Sequence, residues 1–259
     1  MLIDSHAHLN FGAFEKDLDE VVGRCNKAGL LCINVGSQYD TSRKAVQIAE
    51  ENKDMFAAVG LHPIHAEEGF EAESYRSLTK IQGTVAIGEI GLDKFKDYGK
   101  FFDKQKKVFL TQLDLAKELN LPVVIHCRCA HKEMIEILAA FQLQGVIHCF
   151  TGTWGEAKKY LDMGFSLGIN GIMYKMNIKE TIQKMPLDRL LIETDCPYLV
   201  PPQARSERNE PLFVKYVAED VAKLRGISFE EIARATAKNA QTLFNLNNKK
   251  NPRSDLGSN

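Results

Sequence analysis

Short apolar runs recur along the chain, and longer segments with helical periodicity separate them. The runs occupy residues 2–4, 31–35, 56–59, 85–87, 123–125, 145–147, 165–169 and 190–193. Because each run is apolar at consecutive positions, it is typical of a strand that is buried on both faces of a parallel sheet. In the segments between the runs, residues such as Phe109, Leu113 and Ala116 recur at the spacing of one helix face.

Eight strand-then-helix units in a chain of 259 residues predict an α/β fold of the (β/α)8 or TIM-barrel type. A doubly wound sheet is the alternative, because strand count alone does not exclude it. We expect one hydrolase domain over residues 1–248. The remaining residues, 249–259, are polar, and we expect them to form a disordered tail.

Ligand-type side chains follow six of the predicted strands. They are His6 and His8 after the first, His62 after the third, Glu89 after the fourth, His126 after the fifth, His148 after the sixth and Asp195 after the eighth. His6 and His8 are two residues apart, so on an extended chain both imidazoles point to the same side. In a barrel, the carboxyl ends of all strands surround one mouth, where barrel enzymes carry out their chemistry.

This combination of imidazoles and carboxylates predicts a metal site. Such donors suit zinc, manganese or iron, and the lack of a required thiolate argues against a closed structural zinc site. The expected ligands are His6, His8, Glu89, His126, His148 and Asp195. They suffice for two ions, which a carboxylate such as Glu89 can bridge when the ions are about 3.5–4 Å apart. We expect His62 to contact substrate, and we assign no role to His65 or His131.

Composition limits how the protein can bind a polyanion and in which cellular compartment it is expected. The net charge of −1 provides no broad basic field, so a polyanion must be held by a local patch. No apolar run approaches the roughly 20 residues of a membrane helix, and the chain enters a strand at once, so we expect no membrane association and a cytoplasmic location. The six cysteines lie mostly in apparent core segments, and we expect all of them to be reduced.

Six motifs taken together resemble those of the TatD family of metal-dependent hydrolases. They are DSHAH, GLHP, GEIGLD, VIHCR, VIHCFTG and ETDCPY, in that order, and the resemblance extends from Asp4 to near Leu246. It implies a TIM barrel and a deoxyribonuclease with two divalent ions, such as zinc, magnesium or manganese. It further implies that His6, His8, Glu89 and Asp195 bind the first ion, and that Glu89, His126 and His148 bind the second.

The chain departs from the family pattern at two places. Cys127 follows the strand-five histidine, where the family usually has serine or threonine. The loop after strand eight reads RSERNEP over residues 205–211, where the family often has Arg-Gly-Lys before Asn-Glu-Pro. Glu207 therefore places a negative charge where a positive one is common, which leaves the metal ligands intact and the substrate preference open.

The expected reaction is the cleavage of phosphodiester bonds at DNA ends or in single strands by metal-activated water. Asp195 is the expected catalytic residue, since it can bind metal and accept the proton of that water. Arg128, Arg205 and Arg208 follow strands five and eight, where they can hold phosphate. Phe150 and Trp154, in the loop after strand six, either stack on a base or pack the loop.

Two other classes of protein compete with a nuclease. The first is an amidohydrolase-type barrel that cleaves a C–N or carboxylic ester bond, including an ester on tRNA. Many dinuclear members of that class have lysine on strand four, whereas this chain has Glu89. The second is a non-catalytic binding barrel, which predicts lost ligands, although all six are present. The sequence leaves the oligomeric state open, and we expect a monomer with DNA or another phosphodiester as substrate.

Overall fold

The computed structural model describes residues 1–248, so the tail predicted over residues 249–259 lies outside the described residues. Eight parallel strands form one sheet and pair in chain order. The strands are β1 (Ile3–Ala7), β2 (Leu31–Val35), β3 (Met55–Val59), β4 (Thr84–Asp93), β5 (Val123–Arg128), β6 (Gly145–Ile147), β7 (Ser166–Ile169) and β8 (Leu190–Ile192).

The first and last strands meet and close the sheet into a barrel. The backbone N–H of Asp195 donates to the His6 carbonyl, and the N–H of His8 donates to the Cys196 carbonyl, both at 2.9 Å. Ala7 and Cys196 form a parallel bridge. The predicted (β/α)8 barrel is therefore confirmed. The doubly wound alternative is excluded, because the strand order of such a sheet reverses at a switch point.

Helices cover the outside of the barrel. They are α1 (Leu18–Lys27), α2 (Tyr39–Glu51), α3 (Ala72–Thr79), α4 (Phe102–Leu119), α5 (His131–Leu138), α6 (Trp154–Asp162), α7 (Lys179–Lys184), α8 (Val214–Arg225) and α9 (Phe229–Phe244). The side chain of Asn239 on α9 donates to the carbonyls of Leu187 and Leu190, at the amino end of β8. Helix α9 therefore lies at the amino end of the barrel, which leaves the carboxyl ends of the strands open.

Strand β4 is longer than the apolar run that predicts it. It continues through Glu89 to Asp93, because Ile90 to Asp93 pair with Ile125 to Arg128 of β5 after a shift in register. Gly91 stands opposite His126 with φ of 146°, and a Cβ atom there would lie 1.9 Å from the His126 carbonyl oxygen. The lack of a side chain at Gly91 thus lets the two ligand-bearing strands pair.

Two further observations concern membrane-spanning helices and the cysteines. No helix in the described part of the chain has the length and apolar character needed to cross a membrane. All six cysteines are free thiols, of which Cys129 is exposed, Cys149 is half-buried and the others are buried. The reduced state of all six cysteines in the native protein stays a prediction.

The contact at Gly91 generates a test of stability. We expect Gly91→Ala to lower the free energy of unfolding by more than about 3 kcal/mol, since it combines a backbone region that costs non-glycine residues about 1–3 kcal/mol with a direct backbone overlap. For a protein of this size, the midpoint Tm should fall by about 6–12 °C in a calorimetric scan.

Gly23→Ala on α1 is the matched control. A Cβ atom at Gly23 meets no other atom within 4 Å, and alanine inside a helix is favoured over glycine by roughly 0.5–1 kcal/mol. The control should therefore keep or raise Tm. A Gly91→Ala protein as stable as the Gly23→Ala protein would contradict the account of the β4–β5 pairing.

Candidate metal centre

A cavity of about 900 Å³ opens at the carboxyl ends of the strands. The residues that line it include most of those predicted as ligands, namely His8, Glu89, His126, His148 and Asp195. His6 lies beneath them, and its side chain is fully buried. The structure therefore brings all six predicted ligands to one mouth of the barrel.

His6 and His8 converge as their spacing predicts. Their Nε2 atoms are 3.1 Å apart, and the Asp195 Oδ1 atom lies 3.8 Å from His6 Nε2 and 3.3 Å from His8 Nε2. The Val35 carbonyl oxygen is 2.7 Å from His8 Nδ1. Because a carbonyl can only accept, His8 Nδ1 carries the proton and its Nε2 lone pair points into the cluster, as in a metal-binding histidine.

Glu89 lies between two sets of imidazoles. Its Oε2 atom is 3.5 Å from His6 Nε2 and 3.8 Å from His8 Nε2. Its Oε1 atom lies within 3.2 Å of imidazole nitrogens from three other strands, which belong to His62, His126 and His148. The two oxygens of one buried carboxylate therefore face different groups of nitrogen donors.

Asp93 orients His126. The Asp93 Oδ2 atom is 3.1 Å from His126 Nε2, and Asp93 Oδ1 also accepts the N–H of Phe95 at 2.7 Å. Since the carboxylate accepts, His126 Nε2 carries the proton, which leaves the Nδ1 lone pair 3.0 Å from Glu89 Oε1. Two acceptors that face each other at this distance need a cation or a proton between them.

His62 directs an N–H at Glu89, whereas His126 directs a lone pair at it. The N–H of Ile64 donates to His62 Nδ1 at 3.3 Å, so in the neutral ring the proton is on Nε2, which is 3.2 Å from Glu89 Oε1. Burial lowers the pKa of His62 to about 4, so the neutral form prevails near pH 7. His62 is thus suited to donate a hydrogen bond rather than to bind metal.

The carboxylates and imidazoles of the cluster shift each other's pKa. Burial alone would raise the pKa of Glu89, but His62 and His148 hold it well below its usual range. Burial alone would lower the pKa of His148, but Glu89 and Glu193 raise it well above its usual range. Asp195 is also held below its usual range, since His8 and its neighbours outweigh the effect of burial on its pKa. The carboxylates of the cluster are therefore stable as anions because positive charge lies beside them.

Several buried nitrogens support a metal ion as that positive charge. His6 Nδ1 and both ring nitrogens of His148 are buried and make no hydrogen bond of good geometry among the described residues, although carboxylate oxygens lie 2.8 Å from His148 Nε2 and 3.4 Å from His148 Nδ1. Two groups of predicted ligands bring their ligand atoms within 4.8 Å of one another, namely His6–Glu89–His148 and His6–His8–Asp195. A third group, His62–Glu89–His126, is equally compact, but its His62 directs an N–H rather than a lone pair at Glu89. The donor set of imidazoles and carboxylates fits divalent ions of the zinc and manganese type.

Glu193 and Asp4 form the layer below the ligands. Glu193 Oε1 lies 3.4 Å from His148 Nδ1 and accepts the N–H of Cys149 at 2.7 Å. Asp4 accepts hydrogen bonds from the backbone and hydroxyl of Thr194, and burial raises its pKa to about 8. Glu193 therefore stands behind a ligand histidine, as its strand position suggests, while Asp4 holds the turn that precedes Asp195.

The three arginines predicted at the rim have different surroundings. Arg128 is exposed and lines the cavity. Arg208 forms an ion pair with both carboxylate oxygens of Asp17, at 2.5 and 2.8 Å, and donates to the Ala13 carbonyl. Arg205 is exposed on the loop after β8, and it lies outside the described lining of the cavity. Of the three arginines, the structure therefore places Arg128 on the wall of the cavity and pairs Arg208 with Asp17.

The histidines without an assigned role have other partners. His65 Nδ1 is 2.8 Å from Glu68 Oε1, although the residue also lines the cavity. His131 Nδ1 is 3.0 Å from the Tyr160 hydroxyl and 3.4 Å from Cys127 Sγ. Cys127 thus packs with His131 on the side of β5 opposite to His126, so this departure from the family pattern stays out of the ligand cluster.

Asp93 is the residue of the site that sequence reasoning missed. It lies four residues after Glu89 in β4, and residues that are an even number apart on a strand point to the same side. The GEIGLD motif contains both carboxylates, so this parity was the available signal. The short apolar run predicts a strand that ends at residue 87. The alternation of sides along a strand was therefore not extended to Glu89 and Asp93.

A closed parallel barrel that gathers imidazoles and carboxylates at its open mouth defines the class of the metal-dependent hydrolases. The chain belongs to one family of that class, because the sequence model of the TatD related DNase family matches residues 3–245. The protein is therefore a metal-dependent hydrolase, and the match supports the nuclease interpretation of its sequence.

Relatives and solved structures agree with this assignment. The metal-dependent hydrolase YabD of Bacillus subtilis strain 168 is 42% identical over 256 residues, which cover 95% of this chain and 100% of that protein. The 3′-5′ ssDNA/RNA exonuclease TatD of Erwinia tasmaniensis is 38% identical over 260 residues, with coverages of 95% and 100%. The crystal structure of YjjV, a TatD homolog from Escherichia coli K12, has a TM-score of 0.87 at 30% identity and coverages of 94% and 98%.

The central position of Glu89 generates a test of metal binding. We expect Glu89→Gln to weaken the binding of divalent ions by at least about 100-fold, because even residues that only orient a ligand contribute 10–100-fold. Metal content after gel filtration, measured by plasma mass spectrometry, gives the readout. Glu68→Gln, the same change beside His65, should keep the wild-type content, and a Glu89→Gln protein that does so as well would contradict the site.

Proposed function

We propose that the protein is a nuclease that uses two divalent ions to hydrolyse phosphodiester bonds at the ends of DNA or in single strands. One observation carries the proposal: the two oxygens of the buried Glu89 carboxylate face separate groups of imidazoles at the base of an open cavity. A carboxylate in that position is suited to bridge two ions. The name of the Erwinia relative, a 3′-5′ ssDNA/RNA exonuclease, adds single-stranded RNA to the substrates worth testing.

The geometry suggests a ligand set for each ion. His6, His8 and Asp195 would hold the first together with Glu89 Oε2. His126 and His148 would hold the second together with Glu89 Oε1. When bound, such ions act as Lewis acids that make water a better nucleophile and neutralise charge on the phosphate. Zinc, manganese and magnesium are the candidates, since each accepts nitrogen or oxygen donors without a thiolate.

Asp195 is the proposed general base. Its side chain is 15% exposed, compared with 5% for Glu89 and 0% for His6, so it is the ligand carboxylate that water reaches most easily. Its pKa is held below the usual range, so it is ionised near pH 7 and able to accept a proton. The ionised carboxylate would take the proton of the attacking water.

His62 and Arg128 are the proposed substrate contacts. His62 carries its proton on Nε2, which points into the cluster and can donate to a phosphate oxygen as well as to Glu89. Arg128 is exposed on the wall of the cavity, where its guanidinium can donate two parallel hydrogen bonds to a phosphate. Arg205 remains a predicted phosphate contact on the loop after β8.

The shape of the site supports a single strand or a strand end as substrate. A cavity of about 900 Å³ is a pocket rather than a long groove, and the net charge of −1 does not support an extended electrostatic footprint. A phosphate within a continuous duplex would have to enter with both strands. An unpaired strand or an end can enter alone.

We extend the proposal to the oligomeric state and the cellular compartment. We further propose that the protein acts as a monomer with a single catalytic domain over residues 1–248. The six free thiols support a reducing compartment such as the cytoplasm.

The direct test is hydrolysis by metal-reconstituted protein. We expect manganese, magnesium or zinc to restore cleavage of end-labelled single-stranded DNA after chelation, with duplex DNA cleaved from its ends or more slowly. A panel of carboxylic esters and amides, including aminoacyl-tRNA, should show little turnover. Turnover confined to that panel would favour the amidohydrolase alternative, and full DNA cleavage by metal-free protein would contradict the proposal.

The position of Asp195 generates a second test. We expect Asp195→Asn to lower kcat for DNA by about 10²–10⁴-fold, or roughly 3–5 kcal/mol of activation barrier, because an amide does not accept the proton of water. Asp195 has φ of 56°, a backbone region that asparagine tolerates better than most residues, so the fold should survive. Metal content is measured alongside the rate.

His65→Ala is the matched control for this variant. His65 lies at the same mouth but pairs with Glu68, so its loss should change kcat by less than about twofold, as is usual for surface positions away from the chemistry. Near wild-type turnover by Asp195→Asn at saturating metal would rule out the proposed base.

A further inference from the structure

Phe95 and Arg128 form a pair of side chains above the candidate ligands, at the carboxyl ends of β4 and β5. In β4 and β5, Gly91 is opposite His126 and Asp93 is opposite Arg128. Arg128 therefore follows His126 by two residues, which is about 7 Å along a strand, and points to the same side. Its guanidinium carbon lies 3.6 Å from the centre of the Phe95 ring, so the two planar groups are stacked.

This stacked pair faces the cavity. Phe95, Tyr98 and Arg128 all line it, and Tyr98 is 39% exposed. Hydrogen bonds hold the backbone that carries the two side chains. The N–H of Phe95 donates to Asp93 at 2.7 Å, and the N–H of Lys94 donates to the Arg128 carbonyl at 2.9 Å. A flat, partly exposed surface is thus fixed to the strand ends that also carry His126.

The segment that carries Phe95 is locally basic, although the whole chain is slightly acidic. Residues 94–107 contain six lysines and two aspartates, an excess of four positive charges. Lys94, Lys100 and Lys106 form ion pairs with acidic side chains, while Lys96 Nζ lies 5.1 Å from the Phe95 ring centre. Lysines and aromatic rings therefore lie close together in this segment, of which Phe95 and Tyr98 line the cavity.

We propose that Phe95 and Arg128 form a stacking subsite for an unpaired nucleobase of the substrate strand, and that the basic segment over residues 94–107 attracts the phosphates beyond it. This inference rests on the proposed nuclease function. The layer of Arg128 lies about 7 Å above that of His126, a distance comparable to the spacing of neighbouring phosphates in an extended strand. A phosphate at the ligands would therefore place an adjacent base beside the stacked pair.

The chemistry of the pair favours an unpaired strand over a duplex. Aromatic rings and guanidinium groups stack on any base, because every base has a flat face. A base within a duplex already has its faces covered by its neighbours. The subsite would therefore select for single strands or frayed ends and tolerate any sequence.

Binding of a cleavage-resistant strand tests the subsite. The probe is a fluorescein-labelled octathymidylate with phosphorothioate linkages, and its Kd is measured by fluorescence anisotropy with the metal-loaded protein. We expect Phe95→Ala to raise Kd by about 5- to 150-fold, the range that corresponds to the loss of one aromatic–base stack. Phe95→Tyr keeps the ring and should keep Kd within about twofold of that of the wild type.

Two controls separate stacking from general damage. Phe101→Ala removes a 40% exposed ring of the same segment that lies outside the described lining of the cavity, and it should bind as the wild type does. A single abasic position moved along the octamer should, at one place, weaken wild-type binding to the level of Phe95→Ala. The same abasic position should have no further effect on Phe95→Ala, since both changes remove one contact.

The outcomes distinguish this inference from the proposed function. If wild-type protein cleaves ordinary single-stranded DNA while Phe95→Ala binds the octamer as tightly as the wild type, the subsite is wrong and the nuclease stands. If wild-type protein neither binds nor cleaves single-stranded DNA, both proposals fail. An increase in Kd for Phe95→Ala that the abasic position does not reproduce would also overturn the subsite, because the ring would then act on something other than a base.

Discussion

The Glu89 carboxylate, buried among five imidazoles, is the interaction on which the rest of the site depends. An isolated buried carboxylate would be strongly disfavoured, and here the surrounding histidines hold its pKa well below the usual range. The same arrangement leaves nitrogen lone pairs directed at carboxylate oxygens, as at His126 Nδ1. Divalent ions would balance such a cluster, so the need to compensate Glu89 and the capacity to bind metal have one physical origin.

The barrel supplies this arrangement through backbone features away from the ligand atoms. Gly91 allows β4 and β5 to pair closely enough for Glu89 and His126 to meet. The hydrogen bonds between the ends of β1 and β8 place Asp195 beside His6 and His8. The acceptors behind the ligands, the Val35 carbonyl for one histidine and the Asp93 carboxylate for another, then select the tautomer that directs a lone pair inward.

Much of the fold and all six candidate ligands could be predicted from sequence, because buried parallel strands leave continuous apolar runs and their carboxyl ends share one mouth. The details that the sequence does not reveal depend on tertiary contacts. Glycines and Glu89 interrupt the apolar run of β4, so the run does not extend to Asp93. No local pattern reveals the ion pair of Arg208 with the distant Asp17, and contact of Arg208 with phosphate stays a prediction. Phe150 is fully buried, in agreement with the packing alternative, whereas Phe95 meets Arg128 only through the pairing of β4 with β5.

Anomalous diffraction from crystals grown with manganese or zinc would test the shared carboxylate most directly. Data collected at the absorption edge of the metal locate each ion independently of the protein atoms. We predict two peaks about 3.5–4 Å apart, one beside Glu89 Oε2 with His6, His8 and Asp195, and one beside Glu89 Oε1 with His126 and His148. A fully occupied site in which no ion contacts Glu89 would contradict the account.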